Sequence, residues 1–547
     1  MLNEPLVTAF PVGATPNDAQ DYILSEIEEA IAQGKKYIII NAPTATGKSY
    51  IAKTIANFSD DPTPGFVEAC ETYQIYDNDD PQVSDRDLEP FGTAILTVTK
   101  SLQDQYSEFF EDGDSLKGKS NYPCAINDMF TCENGACSYL KGQLKKCLSK
   151  DKCPYFKQRN KAVTNFCSFY NYAMFESLPE FVKNKEFIIC DEASELEAEL
   201  VGRYTFHIVV KELKKVDPEF PITPDNNASR ATVFTWVSDM ATLCEYQYNQ
   251  YMIRLNKELK DKAKKKKLTK EESQKLALLR KYKDAFASIR DTWSETEYLI
   301  EHTMTGLLFQ PYNVDKLAQR IFKFGKIIIL MSATIVNPAK FAKTLGINDY
   351  YFIEAATTLS SKRAPIRCTD KFRVNYKNKN QVLPQMSKVA AMICDKFKNK
   401  KGIIHTHSMD VLKYLKNELG SNPRFLFREQ GKDNEYLLQT HQQSKLPTVL
   451  VSPSMTHGVD LKGELGEFQI VMKAPYLPLN DKRVEKKTKD DQEWYTDAML
   501  STLIQMCGRC NRTESDYSET YILDASILDA VRKNAEKLPK YFIERFI

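Results

Sequence analysis

The sequence predicts an α/β protein with two parallel-sheet domains that follow one another along the chain. Short apolar runs alternate with helix-compatible stretches, which is typical of parallel sheets covered by helices on both faces. The runs are 37–41, 94–99, 187–190 and 327–331 in the first half, and 402–405, 448–452 and 468–472 in the second. No such run occurs between 195 and about 308, so we expect a helical insertion there.

Composition sets the outer limits on function. The 547 residues are 42% hydrophobic, which is enough for several packed domains, and the net charge of +2 does not by itself indicate nucleic acid. No run of about 18 apolar residues predicts a transmembrane helix. The first residues lack a basic and an apolar region, so no secretory signal is predicted and a cytoplasmic protein is expected. There, the 13 cysteines favour thiols or metal ligands over disulfides.

Two polar segments are predicted at the surface. Residues 60–90 are rich in Asp and Pro and read as a loop. Residues 257–283 are highly charged and contain the run 264–267 of four lysines. This run is interpreted either as a solvated helix face or loop, or as a contact for phosphate.

A phosphate-binding loop follows the first predicted strand. The pattern is G-x-x-x-x-G-K-[ST], with Ala42 in place of its first glycine. Backbone N–H groups of such a loop bind phosphate at a helix N-terminus, Lys48 reaches the outer phosphates, and Ser49 is a ligand for Mg²⁺. The candidate nucleotide-binding residues of the loop are Ala42, Thr44, Thr46, Gly47, Lys48 and Ser49.

A pair of carboxylates ends the third predicted strand. Asp191 is expected at the carboxyl edge of the sheet, beside the loop, where it would hold Mg²⁺. Glu192 would orient or deprotonate the attacking water. Far along the chain, Gln505, Arg509 and Arg512 are predicted on one helix face, and one of the arginines could stabilise charge on the transferred phosphoryl group from across a cleft.

Five cysteines lie between the two halves of this signature. They are Cys124, Cys132, Cys137, Cys147 and Cys153. Four thiolates can hold a [4Fe–4S] cluster, and they also suit Zn²⁺. Residues 116–161 contain ten Lys or Arg against three acids.

Aromatic residues are interleaved with these cations, at Tyr122, Phe130, Tyr139, Tyr155 and Phe156. The combination predicts either single-strand binding or a solvated basic surface over a small core.

The motif series resembles that of superfamily 2 helicases of the XPD/DinG type. Gln20 resembles their adenine-reading glutamine, 42–49 their motif I, 97–105 their motif Ia, and 116–124 the entry to their cluster domain. Residues 191–194, 332–334, 458–460 and 505–512 resemble motifs II, III, V and VI in family order. The resemblance adds Gln20, Gly458 and Asp460 to the candidate nucleotide site.

The resemblance implies two RecA-like parallel-sheet motor domains, with an Fe–S cluster domain and a helical Arch domain inserted in the first. The expected boundaries are 1–115, 169–195 and 309–348 for the first motor domain, 116–168 for the cluster domain, 196–308 for the Arch, and 349–547 for the second motor domain. The implied cluster ligands are Cys124, Cys132, Cys137 and Cys153, with Cys147 as an alternate, and iron is favoured over zinc.

The activity implied is an ATP- and Mg²⁺-dependent DNA helicase that moves 5′→3′ on single-stranded DNA and opens forked DNA, acting as a monomer. The same motor could instead serve a translocase that clears proteins or R-loops without processive unwinding. A nucleic-acid-binding module with a vestigial motor is the rival from another class.

Two departures from the family pattern are visible. Motif II of the family usually ends in His, and here Ser194 takes that position, so the coupling of nucleotide state to motif VI is expected to be weaker or differently arranged. The glutamine of the adenine-reading motif lies within the first twenty residues, so no nuclease domain is expected ahead of the motor.

Overall fold

The computed structural model describes residues 4–72, 89–126, 130–135, 137, 153–217, 219–221, 223–261, 269–357, 359–375, 377–429, 434–455, 461–511, 513 and 515–547. Along these residues the strands are β1 (Tyr37–Asn41), β2 (Thr93–Thr97), β3 (Asp114–Ser115), β4 (Cys167–Asn171), β5 (Lys185–Asp191), β6 (Phe206–Val209), β7 (Tyr298–Thr303), β8 (Gly306–Pro311), β9 (Gly325–Ser332), β10 (Tyr351–Glu354), β11 (Ile366–Cys368), β12 (Gly402–His405), β13 (Phe425–Phe427), β14 (Val449–Ser452), β15 (Phe468–Val471) and β16 (Glu519–Ile522).

The helices in the same ranges are α1 (Asp18–Ala32), α2 (Lys48–Phe58), α3 (Pro64–Thr72), α4 (Lys100–Phe109), α5 (Pro154–Thr164), α6 (Tyr172–Ser177), α7 (Leu196–Arg203), α8 (Val210–Val216), α9 (Arg230–Asp261), α10 (Lys270–Thr292), α11 (Asp315–Phe322), α12 (Pro338–Thr344), α13 (Lys379–Lys396), α14 (Met409–Leu419), α15 (Asn434–Gln443), α16 (Lys482–Asp490), α17 (Gln492–Cys507), α18 (Ala525–Lys533) and α19 (Lys540–Ile543). None of these helices is both long enough and apolar enough to span a lipid bilayer.

The first domain is built on a parallel sheet with the strand order β10-β1-β9-β5-β2-β4-β3. In its centre, Ile39 of β1 pairs with Leu330 on one side and Phe352 on the other. Successive side chains of a strand point to opposite faces, so Ile39 packs in the core on one face while Ile38 and Ile40 pack in the core on the other. Because the strands are parallel, the loops after β1 and β5 lie at the same edge.

The insertion that follows α7 combines a pair of long helices with a three-stranded antiparallel sheet. The strand order is β6-β8-β7, and Trp236 of α9 and Phe286 of α10 share a core with Phe309 of β8. Thr269 and Glu272 form a capping box that begins α10. The prediction of a purely helical insertion is therefore wrong. The sheet was missed in the sequence because β8 is short and alternates buried with half-buried residues, so it gives no continuous apolar run.

The second domain is a parallel sheet with the order β11-β16-β15-β12-β14-β13 in the described residues. Ile404, Val451 and Ile470 face one core, whereas Val471 and Ile522 face another on the opposite side. The prediction of two parallel α/β domains is confirmed.

Several predicted domain boundaries are wrong. The strand β10 pairs with β1, so the first domain extends beyond 348. The boundary at 168 cuts β4, the helix α7 packs in the first domain's core through Leu196 and Leu200, and β8 continues past 308. The strand β10 was missed because it is a sheet edge with a single buried residue, which leaves no apolar run to recognise.

Candidate functional site

The loop after β1 has the backbone of a phosphate-binding loop. Ala45 and Gly47 have left-handed φ angles of 71° and 79°, a conformation that costs an alanine about 1 kcal/mol. Both the N–H and the hydroxyl of Thr46 donate to the Pro43 carbonyl, at 3.3 and 2.8 Å. Ala42 is fully buried and its φ is not positive, so the position does not require the glycine of the usual pattern.

The helix α2 begins at this loop and directs its first backbone N–H groups to the site. No side chain caps it at Gly47, so these N–H groups are available to an anion. The Lys48 ammonium donates to the Ala42 carbonyl at 3.3 Å, which holds it against the loop. The start of α2 therefore offers the N–H groups, the cation and the Ser49 hydroxyl that a nucleotide phosphate with Mg²⁺ requires.

Gln20 contacts the same loop from α1. Its side-chain amide donates to the Gly47 carbonyl at 3.4 Å, and its carbonyl oxygen accepts from Asn17 N–H in a capping box. A Cβ added to Gly47 would come within 2.3 Å of that amide nitrogen and displace it, and the left-handed φ of 79° favours glycine at this position. Beside this contact the rings of Phe10 and Tyr50 stack at 5.7 Å, an aromatic pair that the sequence analysis did not single out.

The two carboxylates follow β5 at the same edge. Burial, and then the neighbouring Glu192 carboxylate, raise the pKa of Asp191 to about 6, while Lys48 opposes the shift. Asp191 accepts a hydrogen bond from the Tyr106 hydroxyl at 2.9 Å and from the Glu192 N–H at 2.9 Å. Glu192 has a left-handed φ of 51°, a strained backbone of the kind found at catalytic turns.

The second domain closes the site from the opposite side. Gln505, near the end of α17, donates to the Glu192 carboxylate at 3.5 Å. At Gly508, which follows α17, an added Cβ would lie 3.4 Å from the Thr44 side chain, so the two domains are in contact there. Arg509 is almost fully buried. The structure thus brings together the loop, the carboxylates and Gln505 across the two domains. The role of Arg509 at this site stays a prediction.

Ser194 connects the carboxylate turn to the loop after β9. Its hydroxyl oxygen accepts hydrogen bonds from Ser332 and Thr334, each at 2.9 Å. The Ser332 carbonyl in turn accepts from the Ala42 N–H at 2.8 Å, at the start of the phosphate loop. The serine at this position is therefore hydrogen-bonded to the end of the neighbouring strand, β9, within the first domain.

Four predicted site residues lie outside the described residues, namely Cys147, Gly458, Asp460 and Arg512, and so does the lysine run 264–267. Their roles stay predictions.

The described cysteines of the segment converge. The Cys132 and Cys153 sulfurs are 3.8 Å apart. Burial, and then Cys153, raise the pKa of Cys132 to about 12, and burial followed by Cys153 and Cys124 raises the pKa of Cys137. Among the described residues no group of three or more His, Cys, Asp or Glu is arranged to hold a metal ion. The Fe–S cluster therefore stays a prediction.

The aromatic residues of this segment are not a stacking surface as a group. Tyr155 and Phe156 are buried in the core of the first domain, and Tyr122 packs edge-on against Tyr155 at 5.6 Å between ring centres. These rings bind the segment to the domain, so the prediction that Tyr155 and Phe156 stack on bases is wrong. The cation Lys119 lies over both buried rings, at 5.4 and 5.7 Å.

Comparisons with known proteins agree with this arrangement. Residues 375–545 match the family model described as the helicase C-terminal domain. A solved XPD helicase superposes with a TM-score of 0.60 at 15% identity, covering 96% of this chain and 98% of that one. An Xpd4 structure from S. tokodaii gives 0.54 at 15% identity, covering 97% and 99%. The chain therefore has the fold of these XPD structures, and its second domain matches a helicase C-terminal domain.

A curated relative is also described as a helicase. The chain is 24% identical over 260 residues to a probable ATP-dependent helicase of Methanocaldococcus jannaschii. That match covers 43% of this chain and 40% of the relative, so the chain spans less than half of the relative's length.

Next to the candidate nucleotide site, the protein has a cavity of about 590 Å³ in the cleft between its domains. Its walls come from the first domain at Ser194 and Thr334, from the insertion at Gln310, and from the second domain at Arg483 and Trp494. The cleft is therefore the place where the three parts of the protein meet.

Tyr106 is a residue of the candidate site that sequence reasoning missed. Its buried hydroxyl lies between Asp191 and Ser49, the two predicted Mg²⁺ ligands, and its pKa is raised well above the usual range, chiefly by burial and then by Asp191. Asn41 was also missed; its side chain accepts from the Ile335 N–H at 3.2 Å and so connects β1 to the loop after β9. The only sequence signal was proximity to motifs I and Ia.

Replacing Ser194 by alanine is expected to weaken the link between hydrolysis and movement. The change removes an acceptor of two hydrogen bonds, each worth about 1 kcal/mol, without touching the phosphate loop. We expect nucleotide affinity to be unchanged and base pairs opened per ATP to fall about fivefold, the equivalent of one such bond. Ser194→Thr, which keeps the hydroxyl, is the matched control; equal coupling in wild type and Ser194→Ala would contradict this role.

Proposed function

We propose that the protein is an ATP-dependent DNA helicase that moves 5′→3′ along single-stranded DNA and separates the duplex at a junction near the cysteine segment. The observation that carries the proposal is the contact of Gln505, in the second domain, with Glu192, in the first. A nucleotide site shared between two domains makes their separation depend on nucleotide state. That dependence is what a motor needs.

The geometry supports the following proposed roles within the site. Lys48 and the N–H groups at the start of α2 bind the phosphates, and Ser49 and Asp191 would hold Mg²⁺, which neutralises phosphate charge when bound. Glu192 orients or deprotonates the attacking water, and Gln505 positions that carboxylate from the other side of the cleft. Arg509 adds positive charge from the second domain. After hydrolysis these cross-domain contacts weaken and the cleft can open.

A [4Fe–4S] cluster is proposed as the stabilising group of the cysteine segment, with Cys124, Cys132, Cys137 and Cys153 as ligands. The fit is supported by the sulfurs of Cys132 and Cys153, which are 3.8 Å apart. Cys132 and Cys124 lie on two short segments that pair with one another, through Cys132 N–H to Tyr122 O and Cys124 N–H to Phe130 O, each at 2.8 Å. Cys153 precedes α5. A cluster would fasten these pieces together.

The test of polarity uses anaerobically purified protein on duplexes that carry only a 5′ or only a 3′ single-stranded tail. We expect ATP-dependent unwinding of the 5′-tailed duplex alone. Unwinding of the 3′-tailed duplex would contradict the polarity. Unwinding of neither, with DNA-stimulated ATP hydrolysis intact, would favour a translocase that removes proteins or R-loops. Absence of any ATP hydrolysis would favour a binding module with a vestigial motor, and RNA-tailed duplexes test the choice of DNA.

A further inference from the structure

The helix α16 of the second domain lies where the first domain, the insertion and the second domain meet. Its sequence KRVEKKTKD is strongly basic. Asp481 caps its N-terminus by accepting from the N–H groups of Arg483 and Val484, at 2.8 and 3.0 Å, and also accepts from Gln310 of β8 at 3.1 Å. The helix is thus anchored to the inserted sheet at its first residue.

Glu197 connects α16 to the turn that carries Glu192. It stands on α7, which begins four residues after Glu192. Its carboxylate forms ion pairs with Arg483 and, at 2.5 Å, with Lys487, and accepts from the Trp494 indole at 3.1 Å. Burial would raise the pKa of Glu197, but Lys487 and Arg483 outweigh it and lower the pKa to about 2. The carboxylate therefore stays ionised and paired at any physiological pH.

Arg483 contacts two parts of the protein at once. While one nitrogen of its guanidinium pairs with Glu197, Nε donates to the backbone carbonyls of Pro311 and Tyr312, at 3.0 and 3.2 Å. These carbonyls end the β8 strand of the insertion. With 5% of its surface exposed, Arg483 is enclosed by its partners. One side chain of the second domain therefore contacts both the first domain and the insertion.

Further pairs extend this contact toward solvent. Lys486 forms an ion pair with Glu297 at 2.8 Å and lies over the Tyr312 ring at 4.0 Å. Lys482 faces Glu301 at 3.8 Å. Two cations on one turn of α16 thus face two acids of the insertion. Such complementarity fixes the register of two surfaces more than it adds affinity.

The neighbouring helix links this contact to the nucleotide site. Asp491, directly after α16, caps α17 by accepting from the Glu493 and Trp494 N–H groups, at 3.0 and 3.1 Å. The other end of α17 carries Gln505, which contacts Glu192. Sixteen residues of helix span about 24 Å. A displacement at Gln505 is therefore transmitted along a rigid element to α16 and the insertion.

We propose that α16 couples the nucleotide site to the insertion, with Glu197, Arg483 and Lys486 as positioning residues. The inference rests on the proposed function, since it assumes that nucleotide turnover moves the second domain. When that domain shifts, α16 either carries the inserted sheet with it or releases Glu197. In both cases a change at the turn that carries Glu192 changes the contacts of the insertion.

The test uses the exposed pair, because removing Arg483 would take away one of the two cations that pair with Glu197 and could unfold the region. The variants are Lys486→Glu, Glu297→Lys and the double exchange, which restores an opposite-charge pair. Lys489→Glu is the matched control, because Lys489 lies on the same helix but pairs with Glu485 of that helix at 2.6 Å. Hydrogen exchange of residues 298–311 is measured in full-length protein with and without a non-hydrolysable ATP analogue and Mg²⁺.

We expect the analogue to change exchange in 298–311 in wild type and in Lys489→Glu, the change to be lost in both single variants, and the double exchange to restore it. The ATP consumed per base pair opened should rise about fivefold in the single variants, the size of a coupling of about 1 kcal/mol.

Binding of a fluorescent ATP analogue is followed in parallel. Binding without any change in exchange would overturn the coupling and leave the proposed function standing, whereas wild type that fails to bind the analogue would overturn both. Single variants that keep the change, or a double exchange that does not restore it, would also overturn the coupling.

Discussion

Replacing Lys48 by alanine is expected to lower DNA-stimulated ATP hydrolysis by at least a hundredfold, roughly the effect of removing one donor to a developing charge. The Lys48 ammonium is held against the phosphate loop by the Ala42 carbonyl, at the start of α2, where nucleotide phosphates would lie. Loss of this cation removes stabilisation from the transferred phosphoryl group in the transition state. Unwinding should disappear with hydrolysis, since both depend on the same turnover.

Release of phosphate under saturating ATP and single-stranded DNA measures this effect. Lys343→Ala is the matched control, because Lys343 is exposed on α12 of the same domain. Circular dichroism of both variants checks that the fold is retained. Hydrolysis by Lys48→Ala within a few-fold of wild type would remove the assignment of this loop as the ATP site.

Replacing Cys153 by serine is expected to release iron and to abolish unwinding while nucleotide binding persists. Cys153 precedes α5, and its sulfur lies 3.8 Å from that of Cys132, so it joins the helix to the paired segments around Cys124 and Cys132. A small domain held by a metal group loses its structure when one ligand is removed. The ATP site lies in a different part of the first domain and should continue to bind nucleotide.

Iron, zinc and acid-labile sulfide are measured in anaerobically purified protein, together with unwinding of the 5′-tailed duplex. Cys368→Ser makes the same chemical change at a half-buried thiol of the second domain and should leave iron and unwinding unchanged. Cys147→Ser should also keep iron if the ligands are Cys124, Cys132, Cys137 and Cys153. Normal unwinding by a metal-free Cys153→Ser would exclude a role of the cluster in strand separation, and stoichiometric zinc would replace iron in the proposal.

The sequence predicted those parts of the protein that are formed by consecutive residues of the chain. β1, β5 and β9 are buried on both faces, so their residues form apolar runs. The phosphate loop and the Asp191–Glu192 pair are short motifs attached to such strands. By contrast, β10 has one buried residue, and β7 and β8 present half-buried faces, so no run marks them.

Contacts between distant residues could not be predicted in the same way. Tyr106 and Asp191 are 85 positions apart, and Gln505 and Glu192 are 313 apart. The sequence placed Gln505 at the site through the order of motifs but did not predict its contact with Glu192. The contact of Tyr106 was not predicted at all, because a buried tyrosine in an amphipathic helix carries no sign of its partner. Similarly, Tyr155 and Phe156 look like a stacking surface in the sequence, and only the fold places them in the core.

The strand order of the first sheet has a consequence for synthesis on the ribosome. β9 lies between β1 and β5, and β10 closes the edge beyond β1. β5 ends at Asp191, but β9 begins at Gly325 and β10 ends at Glu354. The insertion, whose helices and sheet share a core of their own, is complete before β9 leaves the exit tunnel. The first domain therefore lacks β9 between β1 and β5 while the insertion folds. Apolar faces of β1 and β5 are accessible to chaperones during that interval.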